Sequence, residues 1–518
     1  MKTTFNTLGL AVLLAFGCGD DDGGGNPDTG PGTDSAVPDT GTTDSGGGED
    51  SGTDGGPGVD ADVDAAIPPT EGTYAFGSRF VDGASSVVYS GQTYRHLLIN
   101  QLSNYVKSGL AVDIENGIVT SSDEVVPELD YFFRFDAAAN RGDEIGLTTS
   151  PAPLQVNWED VNPTSTPNIL GKTAGNDDST DHTDWDMPGN FVGWDDDSIN
   201  GGESIDSPTE LIDALFATLA TNAFANPMSP SGEELPVFVT PEGLDLQQLI
   251  QKCLLMFVAF SQGVDDYLDD DVEGKGILNT NVRNSDTSPY SSLEHVWDEA
   301  FGYFGMPRDG DLYTDDELAK AGGRDDWQGA HDTSGDDRIS FASEFAFGAA
   351  VNAAKRDRAA VDATDFTADA FSAFMAGRTI IDEADETLTD EEMTMLTTHR
   401  DAIVEAWEKA IAATAVHYVN DTLSDMADIG TDDYSFEDHA KHWSELKGFS
   451  IGLQFNRNSP LLEEDGGETL FARMQALIGD RPVLTGDTEL AEYRTALLEV
   501  RDIFRDAYEF TNANVEAW

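Results

Sequence analysis

Hydrophobic side chains recur with helical spacing along most of the chain's second half. SPTELIDALFATLATNAF opens on Ser207 and Pro208, a cap and a first-turn proline. LDLQQLIQKCLLMFVAFSQGVDDYLDD, from Leu244, is apolar nearly all round and predicts a buried helix. SSLEHVWDEAFGYFG, SFASEFAFGAAVNAAKRDRAAV, ADAFSAFMAGRTIIDEADE and the Ala-rich run from Leu388 to Met426 follow with the same period. SFEDHAKHWSELKGFSIGLQF, TLFARMQALIG and ELAEYRTALLEVRDIFRDAYEF complete the series. Nearer the start, Tyr94, Leu97, Leu98, Leu102 and Tyr105 predict a helix over 92–107. YAFGSRFVDGASSVVYSG could add a short strand or two, but no alternating run separates the helices, so the pattern predicts an all-α fold. Residues 112–206, rich in Asp, Asn, Gly, Pro and Thr with aromatic islands DYFFRFD and NFVGWDDD, exceed a structureless loop and predict an irregular insertion with short helices.

Composition removes the beginning of the chain from this fold. MKTTFNTLGLAVLLAFGC carries Lys2, an apolar stretch from Leu8 to Phe16 and Cys18, which reads as a secretory leader over 1–18, too short to span a bilayer. Its ending suggests a lipobox with Cys18 as the lipidated residue. Residues 19–70 form an acidic Gly/Asp/Thr/Pro-rich tether, with thirteen acids and no base between Gly19 and Pro69, and should be disordered because they cannot bury enough surface to offset ordering. The helical domain then occupies 71–518. A net charge of −70 excludes nucleic acid and anionic lipid surfaces as partners and leaves membrane contact to the anchor alone. It favours cations, or equally a solubility adaptation to salt. Apart from Cys18 the single cysteine is Cys253, in KCLLMFVAF, where an inert buried thiol is expected.

The motif W-x-E-x-x-G-aromatic occurs twice, as Trp297, Glu299, Gly302, Tyr303 and as Trp443, Glu445, Gly448, Phe449. Each copy follows a long helix, one carrying Lys252 and the other Lys409, which suggests two related bundles at about 207–310 and 390–518. Helical spacing places His295 with Glu299 and His442 with Glu445, two imidazole and carboxylate pairs that could share an iron, zinc or manganese ion if the halves face each other. His417 is the most plausible further ligand. The alternative is structural: buried Glu and His hydrogen-bonded in the core. Either way both glutamates sit in apolar surroundings and require partners, from among His442, the other motif, Lys252 and Lys409.

HDTSGDDRISFASEF offers a different chemistry. Asp332, Ser334 and Asp336 match positions one, three and five of a calcium loop, and Ile339 matches the apolar eighth position. Asp337 replaces the turn glycine and Glu344 falls at position thirteen, while Phe341 and Phe345 would start a helix that lets Glu344 swing back. Calcium and a plain acidic turn are both consistent with this pattern. The chain carries no H-E-x-x-H, no phosphate-binding glycine loop and no basic aromatic groove.

SGQTYR, EHVWDEAFGYFG, SEFAFGAAVNAAKRD and HWSELKGFSIGLQFN resemble the bacterial lipoprotein family known as domain of unknown function 4856, whose members occur beside imelysin-like proteins in iron-uptake gene clusters. The resemblance implies two packed, imelysin-like helical bundles in an outer-membrane lipoprotein of the cell envelope, facing periplasm or cell surface. It further implies cation binding, iron foremost, or service to other iron-uptake envelope proteins. His442-Trp443-Ser444-Glu445 supplies the H-x-x-E of imelysin-like proteins, with Ala440 where their glycine belongs. Two alternatives stay open: an imelysin-like metallopeptidase, for which a general base and an open-site ligand set are missing, and a calcium-stabilised structural or adhesive module.

Overall fold

A computed structural model describes residues 72–176 and 183–518. The expected anchor at Cys18 and the expected tether over 19–70 lie outside the described residues. Helix α1 runs Ser90–Asn104, widens through a π-helical turn at Tyr105–Gly109 and ends with Leu110–Asn116, longer than the apolar spacing alone predicts. Val125–Phe133 (α2) is the main helix inside the irregular insertion. Pro208–Ala223 (α3) starts where expected, with the Ser207 side chain accepting from the Glu210 amide.

Leu246–Leu254 continues through two π-helical stretches, Leu255–Phe260 and Gln262–Tyr267, as one rod, α4. Ser292–Phe304 (α5) and Phe436–Ser450 (α9) carry the two W-x-E motifs. Between them come Gly348–Ala359 (α6), Phe366–Glu383 (α7) and Asp390–Asp428 (α8), the last begun by a reciprocal cap of Thr389 with Glu392. Leu470–Ile478 (α10) and Asp487–Ala507 (α11) follow.

The segment expected to be helical from Ser340 is not. Phe341 and Phe345 are buried, Phe345 bridges Ala330, and Glu344 takes the Ser340 amide on its side chain, so α6 begins only at Gly348. Tertiary contacts have claimed the backbone groups a helix would need. A two-residue hairpin, Glu464–Asp465 against Glu468–Thr469, turns on Gly466 and Gly467 at positive φ, the hairpin chemistry that a double glycine permits. In the 74–91 segment the pairing reduces to one bridge, Gly77 to Ser85.

Helix α8 packs against α6, α7, α9 and α11, while α4 packs against α1, α3, α9 and, through its last π turn, α5. One hydrophobic core runs from Tyr74 to Trp518 and takes residues from both the 207–310 and 390–518 segments. A small satellite of Leu235, Val239, Phe436 and Ala440 lies beside it. No helix among the described residues is long and apolar enough to cross a membrane. Cys253 is buried, and burial pushes its thiol up to about 12, so it stays a protonated core group.

Candidate functional site

The repeated motif is built around core contacts. Trp297 and Trp443 are fully buried, and their indole N–H groups donate to the Phe374 carbonyl at 3.0 Å and to the Tyr493 hydroxyl at 2.8 Å. Gly448 lies where an added Cβ would stand 2.6 Å from the Lys252 Cβ, and Gly302 where it would stand 2.7 Å from that of Tyr89. The glycines therefore allow the close approach of α9 to α4 and of α5 to the chain entering α1.

Both motif glutamates are buried and partnered, as the physics of an apolar setting demands. Glu445 Oε1 accepts the Tyr418 hydroxyl at 3.0 Å and pairs with Lys252 Nζ at 3.2 Å, with both side chains of the pair at 0% exposure. Lys252 also reaches Gln251 at 2.8 Å. Lys409 takes a different course, pairing near the surface with Glu405 at 2.6 Å. Glu299 Oε1 accepts from the Gln92 amide at 3.0 Å and lies 3.6 Å from His295 Nε2. His295 stacks on Tyr290 with ring centres 4.2 Å apart.

The other expected ligands also have local acidic partners. His442 Nδ1 meets Asp425 at 2.8 Å, and His417 Nε2 meets Asp421 at 3.2 Å. Burial opposes the His442 imidazolium, but the hydrogen bond and charge of Asp425 outweigh it and raise the pKa. Neighbouring His439 has no such bond to a carboxylate, and burial lowers it to about 4. Among His295, Glu299, His442, Glu445 and His417, no three bring ligand atoms within 4.8 Å of one another.

In the 332–344 loop Asp332 organises the turn. Its Oδ1 accepts the amides of Gly335 at 2.7 Å and Asp336 at 3.0 Å, and its Oδ2 that of Asp337 at 2.8 Å. Burial works against the charged carboxyl, yet these three N–H groups prevail and lower its pKa. Asp337, at the position where calcium loops place glycine, has φ 64°. Ser334 lies 3.3 Å from Asp332, and the Asp336 side chain accepts the Arg338 amide at 2.9 Å. Glu344 does swing back: Oε1 accepts the Ser334 amide and Oε2 the Ser340 amide, each at 2.8 Å. It does so from a turn rather than from the expected helix.

A different group of carboxylates converges most closely. Asp315, Asp357 and Asp365 each offer an oxygen within 4.8 Å of the others, the one such group of three among the described residues. Three helix ends bring them together. Asp315 opens the single turn Asp315–Leu318, Asp357 lies in the last turn of α6, and Asp365 is the residue before α7. Asp357 is buried and held on both oxygens. Oδ1 accepts from Thr364 Oγ and the Phe366 amide, and Oδ2 from the Thr367 amide, at 2.8 to 2.9 Å.

Thr367 Oγ stands 2.9 Å from Asp315 Oδ1 and 3.1 Å from Asp357 Oδ2. One hydroxyl proton cannot serve both oxygens at once. Burial first, and then the charge of Asp315 against its hydrogen bonds, raise Asp357 to about 6. Burial with the charges of Asp365 and Asp316 raises Asp315. Among the described residues no lysine or arginine pairs with any of the three, and nearby Arg358 is taken by Asp316 at 2.9 Å. The sequence hid this group because its members come from three elements with no shared spacing.

No curated protein and no solved structure matches the chain. A family model does match residues 217–479, half of the chain, a span covering α4 to α10 with both W-x-E motifs, the 332–344 loop and the three aspartates. The chain therefore belongs to the family described as a domain of unknown function (DUF4856).

Proposed function

We propose that this protein binds a hard metal cation at Asp315, Asp357 and Asp365, and that it does so as a lipid-anchored protein of the bacterial cell envelope. The observation that carries the metal site is the convergence of three carboxylates within 4.8 Å with no basic partner among the described residues. Like charges this close repel, and a cation between them removes the repulsion and satisfies the contact that the single Thr367 proton leaves open. Carboxylate and hydroxyl oxygens suit calcium, magnesium or manganese, and hard ferric iron competes for the same donors. Asp357, fixed by backbone and side-chain donors, is the rigid ligand. Asp365, exposed, is the one an ion meets first. The envelope setting rests on the leader and Cys18 in the sequence, and delivery of the ion to an iron-uptake system is the cellular role that the family resemblance suggests.

Calorimetric titration of the purified protein with calcium, manganese, ferric iron and zinc tests this reading. One site should weaken at least ~10-fold in Asp365→Asn and in Asp315→Asn, the effect of losing one charged ligand from a small carboxylate set. Unchanged affinity in both variants would sink it. Because Asp357 is raised to about 6, affinity should fall about tenfold per pH unit below that value as the proton competes with the ion. In chelator the same raised pKa means that the folded state binds the extra proton. This site's contribution to stability then declines as pH climbs from about 3.9 through 6.

A second reading is favoured by the 332–344 loop, where Asp332 gathers three amides and Asp337 adopts the left-handed turn that a calcium loop requires at that position. Here calcium is a staple for the structure. Asp332→Ala should remove one calcium equivalent and leave the Asp365-dependent site intact, whereas an unchanged calcium count would dismiss it.

A further inference from the structure

A cavity of about 510 Å³ opens beside α8, and Glu408 lines it. The side chains of Arg400, Asp401, Val404, Glu405, Glu408 and Lys409 reach it from one face of that helix, and the chain at 456–460 and the end of α11 close it. Glu408 is 2% exposed and, among the described residues, accepts from neutral groups alone: Ser459 Oγ at 2.5 Å, Tyr508 OH at 2.6 Å and the Asn456 amide. The two basic residues on the wall are already spent. Arg400 engages Asp401 at 2.9 Å and Asp270 at 3.4 Å, and Lys409 engages Glu405 at 2.6 Å. Five carboxylates thus line the cavity against two bases, and the most buried of them has no cationic partner among the described residues.

Buried carboxylates are ordinarily paired with a positive charge or neutralised by a proton. The donors around Glu408 stabilise its charged form, while burial raises its pKa, so a cation brought by a ligand would settle the balance. Val404, Pro460 and Ala507 give the wall an apolar strip, which suits a short alkyl chain better than a bare, strongly hydrated metal ion. Asp401, Glu405 and Glu509 stand exposed at the mouth, where a second positive charge would find company.

We propose that this cavity binds a small organic dication, an alkyl diamine, with one ammonium on Glu408 and the other at the acidic mouth. The site is separate from the three-aspartate group and does not depend on it. Nothing covalent is involved.

The probe is 1,4-diaminobutane, titrated calorimetrically into the whole protein in about 0.5 M NaCl, where a Debye length of about 4 Å suppresses loose binding to the acidic surface. We expect one saturable equivalent and no binding of 1,4-butanediol, which has the same length without charge. Glu408→Gln should weaken the diamine at least tenfold, and Ala507→Leu, which fills the wall without touching the carboxylate, should do likewise. Asp365→Asn should leave diamine binding unchanged, so failure here and failure of the metal site are read separately. The proposal is overturned by absence of saturable binding, by equal binding of the diol, or by undiminished affinity in a folded Glu408→Gln. Should Glu408→Gln not fold, Ala507→Leu decides alone.

Discussion

The Lys252–Glu445 pair shows what one buried charge demands of its surroundings. Both side chains are wholly out of water, and the Tyr418 hydroxyl is the carboxylate's other hydrogen-bond partner among the described residues. Removing one partner strands the other. Lys252→Met should therefore cost about 3–5 kcal/mol in urea unfolding, and joint replacement with Glu445→Leu should recover most of it, since a well-packed apolar pair needs no desolvation. A single-variant cost below about 1 kcal/mol would show that water or a proton already relieves the charge. At this scale the sequence was informative about need and less so about partner. An apolar run around Glu445 dictates company, and Lys252 was among the candidates, but Lys409 in the parallel position went to the surface with Glu405. Which lysine folds inward depends on which helix face is covered, a property no local window contains.

At the scale of elements, the glycine of the repeated motif sets how closely two helices approach. Gly448 allows α9 to lie against α4 at a point where a methyl group would meet the Lys252 Cβ at 2.6 Å. Gly448→Ala should therefore force the helices apart and cost about 1–3 kcal/mol, the range for overpacking, although alanine favours an isolated helix. Thermal unfolding of this variant against Gly430→Ala would not be a fair control, because Gly430 sits at φ 85°. A stability of Gly448→Ala equal to or above that of the parent would refute the close-approach account. Most helices were legible from hydrophobic spacing, and the start of α3 also from its cap, Ser207. The helix expected from Ser340 was not, because its amides are committed to Glu344 and to the bridge at Phe345.

For the whole molecule the dominant fact is a net charge of −70, which works against any compact state through self-repulsion. Sodium chloride screens it, so raising salt from about 20 mM to 1 M should lift the melting temperature by more than about 5 °C, as Debye screening shortens from tens of ångströms to about 3 Å. A melting temperature that stayed level or fell would mean that the charges are dispersed widely enough not to matter. Sequence alone determined the helical character, because helical periodicity needs only the neighbours three and four residues away. It also determined the acidity and the requirement that Glu299 and Glu445 be partnered. Only the tertiary structure decided that one core joins both motif segments, that His442 meets Asp425, and that Asp315, Asp357 and Asp365 converge. Those outcomes join residues from separate elements, and their distances are fixed by how helices pack rather than by any spacing along the chain.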